Sequence, residues 1–177
     1  MNYLLKGLNV FLIGMMGAGK TTVGQLLAQQ LGYRFFDTDV LIERVAASTI
    51  SEIFATEGEE SFRGLETQVL EELSAYTRSA IATGGGIVLR QKNWSYLHHG
   101  LIVWLDAPLE VLIRRLAEDR TRPLLQEADP TLKLKSLLEH RRPLYAQADL
   151  HIQIEISQTP EQIVSQVIEL IPTVLNQ

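Results

Sequence analysis

The sequence predicts an α/β protein of three layers, in which a central parallel five-stranded sheet is flanked by helices. Short apolar segments of strand length alternate with longer segments whose apolar residues recur at helical spacing. Such alternation with short connections is typical of a parallel sheet covered on both faces. A glycine-rich turn also joins the first strand to the first helix. The 177 residues suffice for one domain, 1–177, that buries about 70% of its unfolded surface.

The turn after the first strand carries the strongest motif. Residues 14–21 read GMMGAGKT, which fits the pattern glycine, four residues, glycine, lysine and a hydroxyl residue. Glycines allow successive backbone N–H groups to converge on phosphate oxygens. Lys20 would reach the β and γ phosphates, and the Thr21 hydroxyl would bind Mg²⁺. The alternative interpretation is a glycine-rich turn with a surface lysine.

The context of this loop favours phosphate binding. An apolar strand at 8–13 precedes it and a helix from Thr21 to Leu31 follows, which is the required order. The predicted nucleotide-binding residues of the loop are Gly14, Gly17, Ala18, Gly19, Lys20, Thr21 and Thr22.

Caps and apolar spacing predict the elements that follow. Gly32 ends the first helix at a position where glycine tolerates the left-handed conformation. A strand at 33–36 leads into a helix near 40–45, and the capping box of Thr49 and Glu52 opens a short helix. The remaining predicted elements are a long helix over 62–73, a strand at 80–83, a helix at 94–99, a strand at 101–105, a helix to 117, a helix over 132–145, a strand at 150–154 and a final helix capped by Thr159.

Two further features lie in the second half of the chain. Asp106 precedes Ala107 and Pro108, which predicts that Asp106 caps the following helix and that Pro108 occupies its first turn. The segment 118–130 is polar and contains two prolines, which indicates a mobile lid.

Several polar groups follow the predicted strands directly. In a parallel sheet, ligands bind at the carboxyl ends of the strands, so the phosphate loop, Asp37, Asp39 and the glycines 84–86 are expected to share one cleft. One aspartate could hold the hydration shell of Mg²⁺, and the other could orient or deprotonate an acceptor hydroxyl. The alternative for Asp39 is that it merely caps the helix starting at Val40.

Arginines supply the other half of the predicted cleft. Arg63 and Arg141 suit a small ligand with an anionic group, because guanidinium matches a carboxylate bidentately. Arg63 could instead form an exposed pair with Glu66. Arg120 and Arg122 are candidates for the charge that covers the γ-phosphoryl group, and a solvated basic loop is the alternative for both.

Composition narrows the functional classes. The chain has no cysteine, which excludes disulfides and thiolate chemistry and fits the cytoplasm. The net charge of −5 argues against broad nucleic-acid binding, and no apolar run reaches the ~20 residues of a membrane helix. The motifs of guanine-nucleotide switches and of motor ATPases are absent, and the four histidines have no spacing suited to a metal site.

The ordered set of motifs resembles shikimate kinase along nearly the whole chain. The pieces that carry this resemblance are the phosphate loop with Thr22-Val23-Gly24, Phe36-Asp37-Thr38-Asp39, Ile53-Phe54-Ala55 with Gly58-Glu59, Phe62-Arg63 with Glu66, Gly84-Gly85-Gly86, Arg122-Pro123-Leu124-Leu125 and Arg141-Arg142-Pro143-Leu144-Tyr145. Thr21 replaces the serine that is common in this family, and the metal needs only the hydroxyl oxygen.

The resemblance implies a P-loop fold like that of nucleoside monophosphate kinases, and transfer of the ATP γ-phosphoryl group to the 3-hydroxyl of shikimate in aromatic amino-acid synthesis. It implies that Asp39 binds the ring hydroxyls and acts as base, and that Asp37 supports Mg²⁺ through water. Substrate would be bound by Asp39, Arg63, Gly84, Gly85, Gly86 and Arg141. Arg122 would be the catalytic lid arginine, and Arg115 with the turn 156–160, including Gln158, would flank adenine.

Two other functions remain open on the sequence alone. One is a related small-molecule kinase with another acceptor. The other is a shikimate-kinase-like protein that has lost catalysis and serves as a binding or regulatory partner, which would be expected to lack Asp39, Arg63 or Arg141. A cytoplasmic monomer that binds ATP, Mg²⁺ and shikimate, without nucleic acid or membrane, is the expected form.

Overall fold

A computed structural model of the chain describes residues 4–118 and 128–175. The strands are β1 Asn9–Ile13, β2 Arg34–Asp37, β3 Ser79–Ala82, β4 Gly100–Asp106 and β5 Leu150–Gln153. The helices are α1 Lys20–Leu31, α2 Thr38–Ala46, α3 Ile50–Thr56, α4 Gly58–Ser74, α5 Gln91–Leu97, α6 Leu109–Ala117, α7 Pro130–Tyr145 and α8 Pro160–Leu175, with a 3₁₀ turn at Ile87–Leu89.

The sheet confirms the predicted class. Its five strands are all parallel and run in the order β2-β3-β1-β4-β5. The central strand β1 lies between β3 and β4, with Val10 opposite both Ala80 and Leu101. Every residue of β1 and β3 is buried, as expected for strands covered on both faces.

Helices cover the two faces of this sheet. On one side, α1 packs against β2, β3 and α8, and α8 also packs against β5. A second group is built from α5, which contacts β4 and α4, and from α7, which packs on the 3₁₀ turn. This arrangement places the carboxyl ends of β1, β2 and β3 at one edge, where the loops that follow them meet.

Most of the predicted helix ends are present. Gly32 ends α1 with φ 67°, and the Thr49 side chain and the Glu52 carboxylate form the capping box of α3. At α8 the Thr159 hydroxyl accepts from Gln162 N at 3.2 Å. Local side-chain hydrogen bonds satisfy the free amides of the first turn, so these ends could be recognised from sequence alone.

The predicted cap at Asp106 is wrong. Pro108 occupies the N-cap position of α6 and makes no side-chain cap hydrogen bond. Asp106 is instead the last residue of β4, and its carboxylate lies 2.8 Å from His151 Nε2 and accepts from Arg142 Nη1 at 3.2 Å. Two partners from β5 and α7 therefore bind the carboxylate that the local pattern assigned to its own helix.

Two further expectations concern a membrane-spanning helix and the lid segment. Within residues 4–118 and 128–175, no helix is long and apolar enough to cross a membrane. Most of the predicted lid at 118–130, with Arg120 and Arg122, lies outside the described residues.

Candidate active site

The phosphate loop connects β1 to α1 in left-handed backbone conformations. Gly14, Gly17 and Gly19 have φ of 145°, 82° and 93°. A Cβ on Gly14 would also stand 2.6 Å from the carbonyl oxygen of Leu105. Glycine is therefore required at position 14 both by backbone conformation and by the close approach of β4.

Two cations lie on this loop. The Lys20 side chain is buried, and its ammonium donates to the carbonyl oxygens of Gly14 at 2.5 Å and Met15 at 3.0 Å. Arg115, at the end of α6, donates from Nη1 to Gly17 O at 2.9 Å. An anion at the N-terminus of α1 would therefore meet positive charge together with the helix dipole.

The side chains of Thr21 and Asp37 lie together beside the loop and are joined by a hydrogen bond. The Thr21 hydroxyl donates to Asp37 Oδ2 at 2.7 Å, while Asp37 Oδ1 accepts from the amides of Asp39 and Val40 and so caps α2. A hydroxyl and a carboxylate suit Mg²⁺, which takes few protein ligands together with water and phosphate oxygens. The described residues contain no cluster of three or more acidic, histidine or cysteine side chains that could hold a metal.

Asp39 faces the glycines that follow β3. A Cβ on Gly84 would stand 2.9 Å from Asp39 Oδ1 and 2.9 Å from Glu66 Oε2. Because Asp37 supplies the cap of α2, the alternative interpretation of Asp39 as the helix cap is wrong. Gly84 thus leaves the space between two carboxyl groups that come from different helices.

Arg63 and Glu66 form an ion pair on α4 that is buried instead of exposed. Arg63 Nη1 lies 2.9 Å from Glu66 Oε1, and the relative exposures of the two residues are 8% and 0%. The alternative of an exposed pair is therefore wrong, because the pair forms but is buried. Arg63 Nη2 also lies 3.4 Å from the more exposed Glu59. A Cβ on Gly86 would overlap the Arg63 guanidinium, so only glycine fits at position 86.

Arg141 reaches the same place from α7. It is 6% exposed, and its Nη1 lies 3.2 Å from the position that a Cβ on Gly85 would take. Each of the three consecutive glycines therefore lies against a charged side chain. We call the set Asp39, Arg63, Glu66, Gly84–Gly86 and Arg141 the acceptor cluster.

Several buried polar atoms of the acceptor cluster have no hydrogen-bond partner among the described residues. They are Arg63 Nε, Arg141 Nε and Nη1, and Glu66 Oε2. A buried donor left without an acceptor costs about 1–3 kcal/mol, and more when the group is charged. Three of the four atoms are guanidinium nitrogens, so the missing partner is an acceptor, and an anionic group matches them best.

Burial shifts the titration of two groups here. It raises the pKa of Glu66 above its ordinary value, because desolvation outweighs the opposing effect of the Arg63 guanidinium, and the Asp39 charge adds to the rise. Burial also raises the pKa of Tyr145 to about 12. The Tyr145 hydroxyl therefore keeps its proton at neutral pH and donates to Gly85 O at 2.6 Å.

Of the remaining predicted site residues, Arg122 lies outside the described residues, and Thr22 is exposed on α1. The Gln158 amide bonds locally, accepting from Glu155 N at 3.1 Å and donating to Gln166 Oε1 at 2.9 Å. Sequence reasoning did not include Glu66 or Tyr145 among the site residues, although each lies three or four residues from a predicted arginine.

Comparison with known proteins agrees with this geometry. The family model for shikimate kinase matches residues 16–172. The chain belongs to the shikimate kinase family. A shikimate kinase of Rippkaea orientalis is 63% identical over 97% of this chain and 92% of the relative, and one of Trichormus variabilis is 60% identical over 100% and 98%.

A solved structure of the shikimate kinase family has nearly the same fold. The shikimate kinase from Acinetobacter baumannii in complex with shikimate superposes with a TM-score of 0.91 at 40% identity. The match covers 99% of this chain and 98% of the other. The resemblance inferred from the motifs is thereby confirmed at the level of the family and of the fold.

Proposed function

We propose that this chain is an active shikimate kinase, which transfers the γ-phosphoryl group of ATP to the 3-hydroxyl of shikimate. The observation that carries the proposal is the set of unpartnered guanidinium atoms of Arg63 and Arg141, buried beside three glycines. A small hydroxylated carboxylate fits this set, because its anionic end satisfies the guanidinium donors and its ring fits against bare backbone.

Each residue of the acceptor cluster has a role in this proposal. Arg63 and Arg141 hold the carboxylate of shikimate, and the glycines 84–86 contact its ring. Asp39 receives the ring hydroxyls, since its carboxylate faces the space that Gly84 leaves open. Glu66 keeps the Arg63 guanidinium in place at 2.9 Å.

ATP occupies the phosphate loop in this proposal. Gly14, Gly17, Ala18, Gly19 and Thr22 belong to the backbone cradle at the N-terminus of α1, and Lys20 exchanges its loop carbonyls for phosphate oxygens. Thr21 would hold Mg²⁺ directly and Asp37 would hold it through water, and the ion would supply positive charge against the phosphates. Arg115 and Gln158 flank the adenine, and Arg122 covers the transferred group.

The chemical step makes one bond and breaks one. The acceptor oxygen bonds to the γ-phosphorus while the bond from that phosphorus to the bridging oxygen of ADP breaks. Asp39 orients the acceptor hydroxyl and takes its proton. Because phosphoryl transfer passes through a loose transition state, alignment of the two oxygens and positive charge around the phosphoryl group provide most of the catalysis.

The proposal also includes the oligomeric state and the cellular location of the enzyme. We propose that the enzyme is a monomer and that it is cytoplasmic, a location that suits a chain without cysteine.

An ADP-release assay tests the acceptor. Purified protein with Mg²⁺-ATP is supplied in turn with shikimate, gluconate and nucleoside monophosphates, and ADP is measured by coupled enzymes. We expect turnover with shikimate that exceeds turnover with the others by at least about 100-fold. All of these ligands carry an anionic group, but only shikimate also places ring hydroxyls at Asp39 when that group pairs with Arg63 and Arg141. Turnover only with another acceptor would contradict the substrate. Nucleotide binding without turnover of any acceptor would indicate the inactive binding protein.

A further inference from the structure

Tyr145 lies between the two halves of the site. It is the last residue of α7, four positions after Arg141, so both side chains project from the same face of that helix. The tyrosine is completely buried, and its ring stacks on Trp104 of β4 with ring centroids 5.7 Å apart. Trp104 in turn lies against Gly14, where its Cδ1 is 3.5 Å from the position of an added Cβ.

The hydroxyl of Tyr145 contacts both functional loops. It donates to the carbonyl oxygen of Gly85, the middle glycine of the acceptor cluster, at 2.6 Å. It also lies 3.6 Å from the sulfur of Met15 in the phosphate loop. The oxygen therefore stands where the two loops approach each other, and the stacked ring keeps it there.

The two loops are close enough for this bridge to control their spacing. A Cβ on Gly85 would stand 3.4 Å from Met16 N and 3.7 Å from Gly14 O. At the base of the loop Gly84–Gly86, which we call the acceptor loop, Thr83 donates from its amide at 3.1 Å and from its hydroxyl at 2.8 Å to Leu12 O of β1. Strand pairing thus holds the base of the loop, and Tyr145 holds its tip.

We propose that Tyr145 is a positioning residue that fixes the acceptor loop, Gly84–Gly86, relative to the phosphate loop, and so aligns the acceptor hydroxyl with the γ-phosphorus. This inference rests on the proposed function. It assigns Tyr145 no contact with either substrate. Its hydroxyl acts through Gly85 and Met15. A small displacement of either loop would move the acceptor hydroxyl away from the γ-phosphorus, and misplacement by about 1 Å can cost about 100-fold in rate.

The substitution Tyr145→Phe tests this role. It removes only the hydroxyl and keeps the ring that stacks on Trp104, so the variant should fold. We expect kcat with shikimate to fall about tenfold, with the Kd for ATP unchanged, because Lys20 and the glycines still shape the phosphate loop. Steady-state kinetics, ATP titration and a thermal melt give kcat, KM, Kd and Tm on the same preparations.

Tyr33→Phe is the matched control. It also removes a buried phenolic oxygen, but Tyr33 precedes β2 and lies at the end of the sheet opposite the cleft. The control should keep wild-type kcat whatever its Tm. An equal loss of kcat in both variants would overturn the positioning role.

Two further results would overturn the proposal. One is a wild-type kcat in Tyr145→Phe. The other is a rise in the KM for shikimate without a change in kcat, which would mean that Tyr145 supports binding alone.

If Tyr145→Phe does not fold, Met15→Leu provides the test, since it removes the sulfur at nearly constant volume. We expect a fall in kcat of at least about twofold in that variant, and an unchanged kcat would overturn the bridge. An inactive wild type would instead refute the proposed function.

Discussion

The phosphate loop and the acceptor cluster are built in opposite ways. The loop is one continuous segment whose shape comes from glycines in left-handed conformations and whose lysine bonds to the carbonyls of the loop itself. The acceptor cluster draws its charged side chains from α2, α4 and α7, and it contains buried guanidinium and carboxyl atoms without partners among the described residues. The loop is complete by itself, whereas the acceptor cluster has buried polar atoms that a ligand would satisfy.

In the proposed function, this difference would separate affinity for a common substrate from selection of a particular one. Backbone amides and one lysine would serve any nucleoside triphosphate, so the loop would specify a reaction class. Buried charges in fixed positions reject ligands that cannot satisfy them, so the acceptor cluster would specify the acceptor. Substitutions in the two regions should therefore change different kinetic constants.

Asp39→Asn should have the largest effect. The amide keeps the size of the carboxylate but takes no proton from the acceptor hydroxyl, so we expect kcat to fall by about 100-fold or more. The Kd for ATP should stay within a factor of about two, because Asp39 belongs to the acceptor cluster and the phosphate loop is untouched. Steady-state kinetics with shikimate and titration with ATP measure both.

Asp149→Asn provides the comparison for this substitution. Its carboxylate accepts from Ile102 N at 2.8 Å near the start of β4, at the other end of the sheet, and asparagine can still accept there. Activity close to wild type is expected. Normal turnover in Asp39→Asn would remove Asp39 as the base and leave only a binding role.

Arg141→Lys should have the second largest effect, on the KM for shikimate. Lysine keeps the charge but loses the planar pair of donors, so we expect KM to rise about tenfold with a smaller change in kcat. Arg142→Lys is the neighbouring control, since Arg142 is half exposed and pairs with Asp106 outside the cluster. Kinetics at varied shikimate concentration distinguish the two, and equal values of KM in both variants would argue against a carboxylate contact at Arg141.

The sequence predicted the self-contained region better than the assembled one. The strand, loop and helix around residues 14–21 follow from local rules, because glycines and caps act over a few residues. Likewise Thr49 and Glu52 form the predicted capping box. Asp106 shows the limit of such rules, since His151 and Arg142 reach it from distant parts of the chain.

The acceptor cluster could be identified only from a family resemblance together with the structure. Spacing placed Arg63 beside Glu66 on one helix, but only the packing of α4 shows that the pair is buried. Tyr145 belongs to a motif of the resemblance, but its contact could not be inferred locally, because its bond to Gly85 joins residues 60 positions apart. Burial and long-range contacts depend on how the elements pack, and one sequence read locally does not contain that information.

Glu66→Gln should have the smallest effect on activity and a distinct effect on stability. Gln keeps an acceptor oxygen for Arg63 but cannot ionise. Burial raises the pKa of Glu66 above its ordinary value of 4.5, so the folded protein retains a proton that the unfolded chain has already lost. As pH rises from 4.5 through the raised pKa, the wild type should therefore lose stability relative to the variant. Denaturant melts of both proteins between about pH 4 and pH 8 measure this difference.

Glu52→Gln should give the opposite trend. Hydrogen bonds from Ser48 and from the Thr49 amide lower the pKa of Glu52, so its ionised form stabilises the folded state above the unfolded pKa. The wild type should then lose stability relative to this variant as pH falls through the lowered pKa. A parallel pH dependence for the two variants would mean that Glu66 is not held in a desolvating environment. Opposite slopes would show that the folded surroundings favour the anion of Glu52 at the exposed cap and the protonated form of Glu66 in the acceptor cluster. The two glutamates differ because only Glu66 is removed from water.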